Sequence, residues 1–540
     1  MPRRPALALS LCALGACLAA RPAAAHTVPA PQVLRVLIVS NMTVADLHHL
    51  EPRGAVGLLV PGVGPTTNRR RALAALVRGV VENARLGGVP AGRVLISTDA
   101  ATGIPSGRDE IILSLPPKGG LVRNDRRYPI AVVGRGFHGI LVSPTTRIPG
   151  LVSVLDVAPT ALGRIRGGLS AEESSHPARA VQRLDRQIAG NDTVKLASLI
   201  FVASLVVLLF VLVSPSAAFC GVSAALLTNM ALGAIGVSTT AGLLVWMTIG
   251  TSLGGIALAR LCASESGLLA LCAFVLFAYL LGMAYEPTWV AVSPLGPTQN
   301  SRFFGVGNQL ETLLLVPGIA GAALAGKRFG GYGLGAFVLL SLVTLVDNSF
   351  GADGGGSVVL GVGFAILVSR LARLGARGTL GMFGLSGLAI AGLVWYDLQR
   401  PGPNHLRSAL THGPEGLLAV VANRVPLAYK PALHQWYLLL PFGLVLLAAA
   451  AAALRGSHPP GRRAVLVSIL SAIGASLVVN DSAAFVVVGG IAAVVAVARP
   501  PLAFGPLRRE VLSVHLDPAA LLGGEPIPIA APAEETNPGP

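Results

Sequence analysis

The feature that most restricts this chain is a series of apolar runs long enough to cross a bilayer, parted by short polar breaks. They cover residues 196–213, 217–237, 240–259, 266–285, 309–325, 332–346, 357–374, 380–396, 436–454, 464–479 and 483–498. In hydrocarbon every backbone N–H and C=O needs an internal partner, so such runs are expected as transmembrane helices. A polytopic domain of about eleven helices is therefore expected over residues 195–499. Composition agrees: 12% of the 540 residues are charged and 53% are hydrophobic, whereas soluble domains carry about 25% charged residues.

The net charge of +16 could suggest nucleic-acid binding, but its distribution argues against that. Basic residues collect in alternate loops: Arg260; Lys327 and Arg328; Arg370, Arg373 and Arg377; Arg455, Arg462 and Arg463; then Arg499, Arg508 and Arg509 after the last run. The other loops are less basic except the long one from Asp397 to Leu433, and long loops follow the rule poorly, so the pattern is that of cytoplasmic loops in a multi-pass protein of the cell membrane. It places the C-terminus inside and the region before residue 195 outside.

The N-terminus reads as an export signal over residues 1–25: Arg3 and Arg4, an apolar stretch from Ala6 to Ala20, and Ala23-Ala24-Ala25 as a cleavage site. Residues 26–175 read as an extracytoplasmic α/β domain. Apolar strand runs at 33–40, 55–60, 93–97, 130–133 and 139–142 alternate with helical spacing at 68–86 and a helix start at 155–162. Residues 176–194 read as a polar linker. The Pro-rich tail 500–540 has no core pattern and is expected to be disordered. No cysteine falls between His26 and Asp192, so no disulfide framework is expected there.

Within the α/β region, Pro149 to Leu162 (PGLVSVLDVAPTAL), the preceding GRGFHGILVSPTTRIPG, and the segment from Gly54 through Thr66-Thr67 resemble the alkaline phosphatase superfamily, which includes the sulfatases. The resemblance implies an α/β fold related to metal-dependent hydrolases. The departures imply lost activity. Asn41 stands after the first strand where the family has a metal-binding Asp, and His138 has no Asp before it. A short, non-catalytic pseudoenzyme is therefore expected.

The candidate site lies at three polar breaks between apolar runs: SRFFGVGNQLET with Arg302, Asn308 and Glu311; VDNSFGADGGG with Asp347, Asn348 and Asp353; and Asn480-Asp481-Ser482. The alternating topology puts all three outside. Ionisable groups beside hydrocarbon are costly and mark function. An arginine fork suits phosphate or carboxylate, and Asp347, Asp353 and Asp481 are candidate ligands for a divalent cation. The asparagines could orient a polyol. Such a set suits a lipid-linked envelope substrate with an anionic or sugar-bearing head, arriving from the bilayer. The alternative is a proton- or cation-coupled transporter or flippase. Carboxylates at the helix mouths would favour an enzyme; a carboxylate deep in the bilayer would favour transport.

Overall fold

A computed structural model of the chain describes residues 34–62, 66–78, 96–97, 109–134, 136–163, 167–298, 303–347, 350–351, 354–399, 436–456, 458–480 and 482–499. The expected signal at 1–25, the tail at 500–540, and four site candidates, Arg302, Asn348, Asp353 and Asp481, lie outside the described residues.

The chain is mostly helical with a small mixed sheet. Its strands are β1 (Arg35–Ile38), β2 (Gly54–Val60), β3 (Thr66–Thr67), β4 (Ile96–Ser97), β5 (Glu110–Leu113), β6 (Val122–Arg123), β7 (Tyr128–Val133), β8 (Gly139–Val142), β9 (Leu151–Ser153) and β10 (Ser170–Glu172). The sheet order is β10-β8-β2-β7-β5-β1-β4, with β9 also on β2; β3 and β6 pair separately. Strand β7 is antiparallel to both β2 and β5, whereas β1 runs parallel to β5 and β4. All seven residues of β2, GAVGLLV, are buried, as expected for an apolar strand covered on both faces. The strand β5 has no counterpart in the sequence reading. Its four residues, EIIL, are too few to show a period.

Three short helices, α1 (Leu47–Leu50), α2 (Arg69–Arg78) and α3 (Val157–Ala161), flank the sheet. One face packs on Ala72, Ala75 and Leu76 of α2 with Val157 and Ala161 of α3. The other face packs on Leu47 and Leu50 of α1 and on Ala178, Val181, Leu184 and Ile188 of α4 (Pro177–Leu208). Residues 177–194, read from sequence as linker, are thus the first turns of a helix. Its Arg179, Arg183 and Arg186 make the stretch look uniformly polar, but Val181, Leu184 and Ile188 recur on one face and the sheet buries them. Pro177 occupies the first turn, and the free Ala178 N–H donates to Glu51 Oε2 at 2.9 Å.

With its last turn, Leu209–Val213, widened to a π-helix, α4 continues to Val213. Its 37 residues span about 55 Å at 1.5 Å each, well beyond the roughly 30 Å of a hydrocarbon core. After it come α5 (Pro215–Ile235), α6 (Thr240–Leu261), α7 (Glu265–Tyr285), the short α8 (Thr288–Ala291), α9 (Asn308–Val346), α10 (Gly354–Leu371), α11 (Ala376–Gln399), α12 (Trp436–Arg455), α13 (Pro460–Val479) and α14 (Ala483–Ala498). Among the described residues seven helices are long and apolar enough to cross a membrane, and three shorter ones are apolar.

Glycine sets the closest packing. A Cβ on Gly255 would meet Gly221 Cα at 2.8 Å, and one on Gly250 would meet Thr228 Oγ1 at 2.1 Å, so α5 and α6 touch almost backbone to backbone. Helix α9 breaks at Gly330, whose φ of 71° and ψ of −154° are not helical. Its two halves fold back on each other: the Phe337 ring fills the space that a Cβ on Gly321 would need, and Ser341 lies beside Gly318. This hairpin returns Asp347 to the end of the bundle where Asn308 began.

Candidate functional site

The segment 303–307 approaches α9 with Gly305 in the left-handed region, φ 84°. A Cβ there would lie 2.1 Å from the Gly351 carbonyl oxygen, so only glycine allows the approach. The Val306 N–H then donates to Gly351 O at 2.8 Å. One turn into the helix, Glu311 is fully buried and Asn308 nearly so. A carboxylate in a first helical turn faces the positive end of the helix dipole.

Helix α13 ends at Asn480, and its side chain reaches back to α9. Asn480 Nδ2 donates to Glu311 Oε2 at 2.7 Å and to Ser476 Oγ at 2.7 Å. Helix α14 fits beside them because Gly489 has no side chain; a Cβ there would stand 3.1 Å from Thr312. The segment around Glu311 therefore touches both other polar breaks, at Gly351 and at Asn480. Asp347, half-buried, closes α9 at the same end. Among the described residues no three His, Cys, Asp or Glu side chains are grouped to hold a metal ion.

A second polar feature escapes the sequence reading. Gln187, Asn191 and Lys195 stand at four-residue spacing on α4, and all three are buried. Each donates to at least one backbone carbonyl of the segment after α8. Gln187 Nε2 bonds Val292 O and Gly233 O, each at 3.0 Å; Asn191 Nδ2 bonds Val292 O at 2.9 Å; Lys195 Nζ bonds Pro297 O at 2.7 Å. Asn229 of α5 holds the same segment through Ser293 Oγ at 2.9 Å and Leu295 N–H at 2.7 Å. Gln309 Nε2 ties it to α9 through Gly296 O at 2.6 Å. Charge continues upward from Lys195. Its ammonium pairs with Asp192 at 2.6 Å, and Arg127, just before β7, pairs with Asp185 at 2.6 Å and Asp192 at 3.8 Å. The sequence signal for this feature is the four-residue spacing, which crosses the boundary between the expected linker and the membrane domain.

In the sheet domain, Asp156 of the VLDVAPT segment points inward. It accepts hydrogen bonds from Ser143 Oγ, from Thr145 Oγ1 at 2.6 Å and from Thr145 N–H at 3.3 Å. Burial pushes its carboxyl up to about 6, against the opposing effect of those hydrogen bonds. Asn41 sits just after β1 with φ 67°, a left-handed conformation that asparagine tolerates. Compared with protein-family models, curated proteins and solved structures, the chain matches none of them.

Proposed function

We propose that this is a multi-pass envelope protein whose site around Glu311 and Asn480 binds a lipid-linked substrate with a sugar- or phosphate-bearing head. The observation that carries the reading is the Asn480–Glu311 hydrogen bond, which joins two polar breaks 169 residues apart at the ends of α9 and α13. A buried carboxylate with an amide beside it can accept substrate hydroxyls, hold a cation or take a proton. It lies at helix mouths, next to the Phe303 segment that packs on the sheet domain. That position suits a binding or enzymatic site at the membrane surface. Of the sequence candidates for a divalent cation, Asp347 lies at the same end of the bundle, and Asp353 and Asp481 lie outside the described residues.

In this reading the sheet domain is extracytoplasmic, the chain crosses eleven times and the C-terminus is cytoplasmic. The seven long apolar helices, the three shorter ones and the break of α9 at Gly330 are compatible with that number. The Lys327–Glu265 ion pair at 2.7 Å and the Arg328–Ser266 hydrogen bond at 2.9 Å support two basic breaks lying on one side of the bundle, and the basic residues there favour that side as cytoplasmic. The sheet domain is then a short, non-catalytic relative of the alkaline phosphatase superfamily. The second reading, a proton- or cation-coupled transporter or flippase, is favoured by the complete burial of Glu311.

Native mass spectrometry of the protein purified from its own membrane tests the first reading, with and without a divalent chelator. A co-purifying phosphate- or sugar-bearing lipid that disappears in Glu311→Gln and Asn480→Ala is the expected result. If the lipid complement is the same in all three proteins, the reading fails. Proton flux into dye-loaded proteoliposomes that Glu311→Gln abolishes would select transport instead.

A further inference from the structure

We infer that Arg147 of the sheet domain is a positioning residue that keeps the 303–307 segment seated, and so holds the Glu311–Asn480 site in place. This rests on reading Glu311 and Asn480 as the centre of a site.

The Arg147 guanidinium lies over the Phe304 ring, 4.0 Å from its centroid. At that distance the cation meets the negative face of the ring. Such a contact positions its partner only if its own base is firm, and here it is. Arg147 has φ 57°, a left-handed backbone rarely adopted outside glycine. It persists because the turn is fixed on both sides. Arg147 N–H donates to Ser143 O at 2.9 Å, Thr145 is tied to Asp156, and the Thr146 hydroxyl donates to Leu151 O. Ile148, the next residue, is buried in the same core that takes in Phe303.

From Phe304 the chain leads directly to the site. Gly305 is pressed against Gly351, Val306 N–H bonds Gly351 O, and Glu311 follows within the first turn of α9. Phe303 is held in the sheet-domain core, and Phe304 packs at the edge of that core with Arg147 over its ring. Removing Arg147 loosens Phe304 on that core, and the Gly305–Gly351 contact then opens more often.

The test uses the full chain in lipid nanodiscs with all five cysteines, Cys12, Cys17, Cys220, Cys262 and Cys272, replaced by alanine and a reporter Val306→Cys. Val306 is fully buried, so a hydrophilic maleimide labels it only on opening. A cation–π contact between half-buried groups corresponds to about a two- to thirtyfold shift in an opening equilibrium. Arg147→Ala is expected to raise the labelling rate by that factor, and Arg147→Lys to restore most of the protection. Phe304→Leu should raise the rate similarly, and adding Arg147→Ala to it should change little more. A second reporter, Ala131→Cys in β7, reads opening of the sheet itself and should not respond. The inference is overturned if Arg147→Ala leaves the 306 rate unchanged, if the two substitutions multiply, or if both reporters rise together. Labelling does not depend on ligand, so this result and the lipid-binding result of Glu311→Gln can fail separately.

Discussion

Asp156→Asn tests whether the turn that carries Arg147 makes the sheet domain's stability depend on pH. Asp156 is 4% exposed, and burial penalises its charged form, raising its carboxyl from 3.8 to about 6. The folded state therefore binds the proton more tightly than the unfolded chain does. Between about pH 4 and pH 6 folding takes up a proton, so stability is greatest below the unfolded pKa and falls as pH rises through the folded one. A shift of about two units at about 1.4 kcal/mol each gives roughly 3 kcal/mol lost across that window. Asparagine keeps the shape and an acceptor for the Thr145 hydroxyl but cannot titrate. It must offer N–H where Ser143 now donates, which costs about 1 kcal/mol. The assay is amide exchange of β2 and β9 in the full chain in nanodiscs from pH 4.5 to 7.5, corrected for intrinsic exchange. The expected outcome is that the parent loses protection with rising pH and the variant loses about 2 kcal/mol less over that range, the rest of the effect falling below pH 4.5. Other titrating groups cancel in the difference. Equal slopes in parent and variant would refute the argument.

Asn480→Leu removes one donor from the buried Glu311 carboxylate and should cost about 1.5–3 kcal/mol. The double variant with Glu311→Leu should be less destabilised than Asn480→Leu alone, as thermal unfolding in nanodiscs will report. Asp192→Ala takes the carboxylate from the buried Lys195 ammonium and should cost about 3–5 kcal/mol, whereas Asp192→Leu with Lys195→Met should cost less. Gly321→Val drives a branched side chain into the Phe337 ring and should destabilise the α9 hairpin by about 1–3 kcal/mol or more; Gly335→Ala, where a Cβ meets nothing within 4 Å, is the control. A reporter active only in the cytoplasm should work when fused after Arg377 or Arg463 and be silent after Asn300 or Gly402. The opposite pattern would invert the orientation.

Helix positions were legible in the sequence because a bilayer-length apolar run has few alternatives in hydrocarbon. The run at 483–498 coincides with Ala483–Ala498, and that at 240–259 with Thr240–Leu261. The strands at β2, β7 and β8 were legible for a similar reason, as continuous apolar runs. Two features were not. The first turns of α4 read as linker because their role depends on a sheet face that closes only in three dimensions. Gln187, Asn191 and Lys195 gain meaning only when the carbonyls of Val292 and Pro297 come within reach. The candidate residues Asn308, Glu311 and Asn480 could be named from polarity beside hydrocarbon, but not their partners. Which carboxylate meets which amide is decided by helix packing. The break at Gly330 turns α9 back, Gly489 lets α14 close on Thr312, and only then do residues 311 and 480 stand 2.7 Å apart. Local propensity acts over a few residues, whereas these contacts are set by the antiparallel return of whole helices.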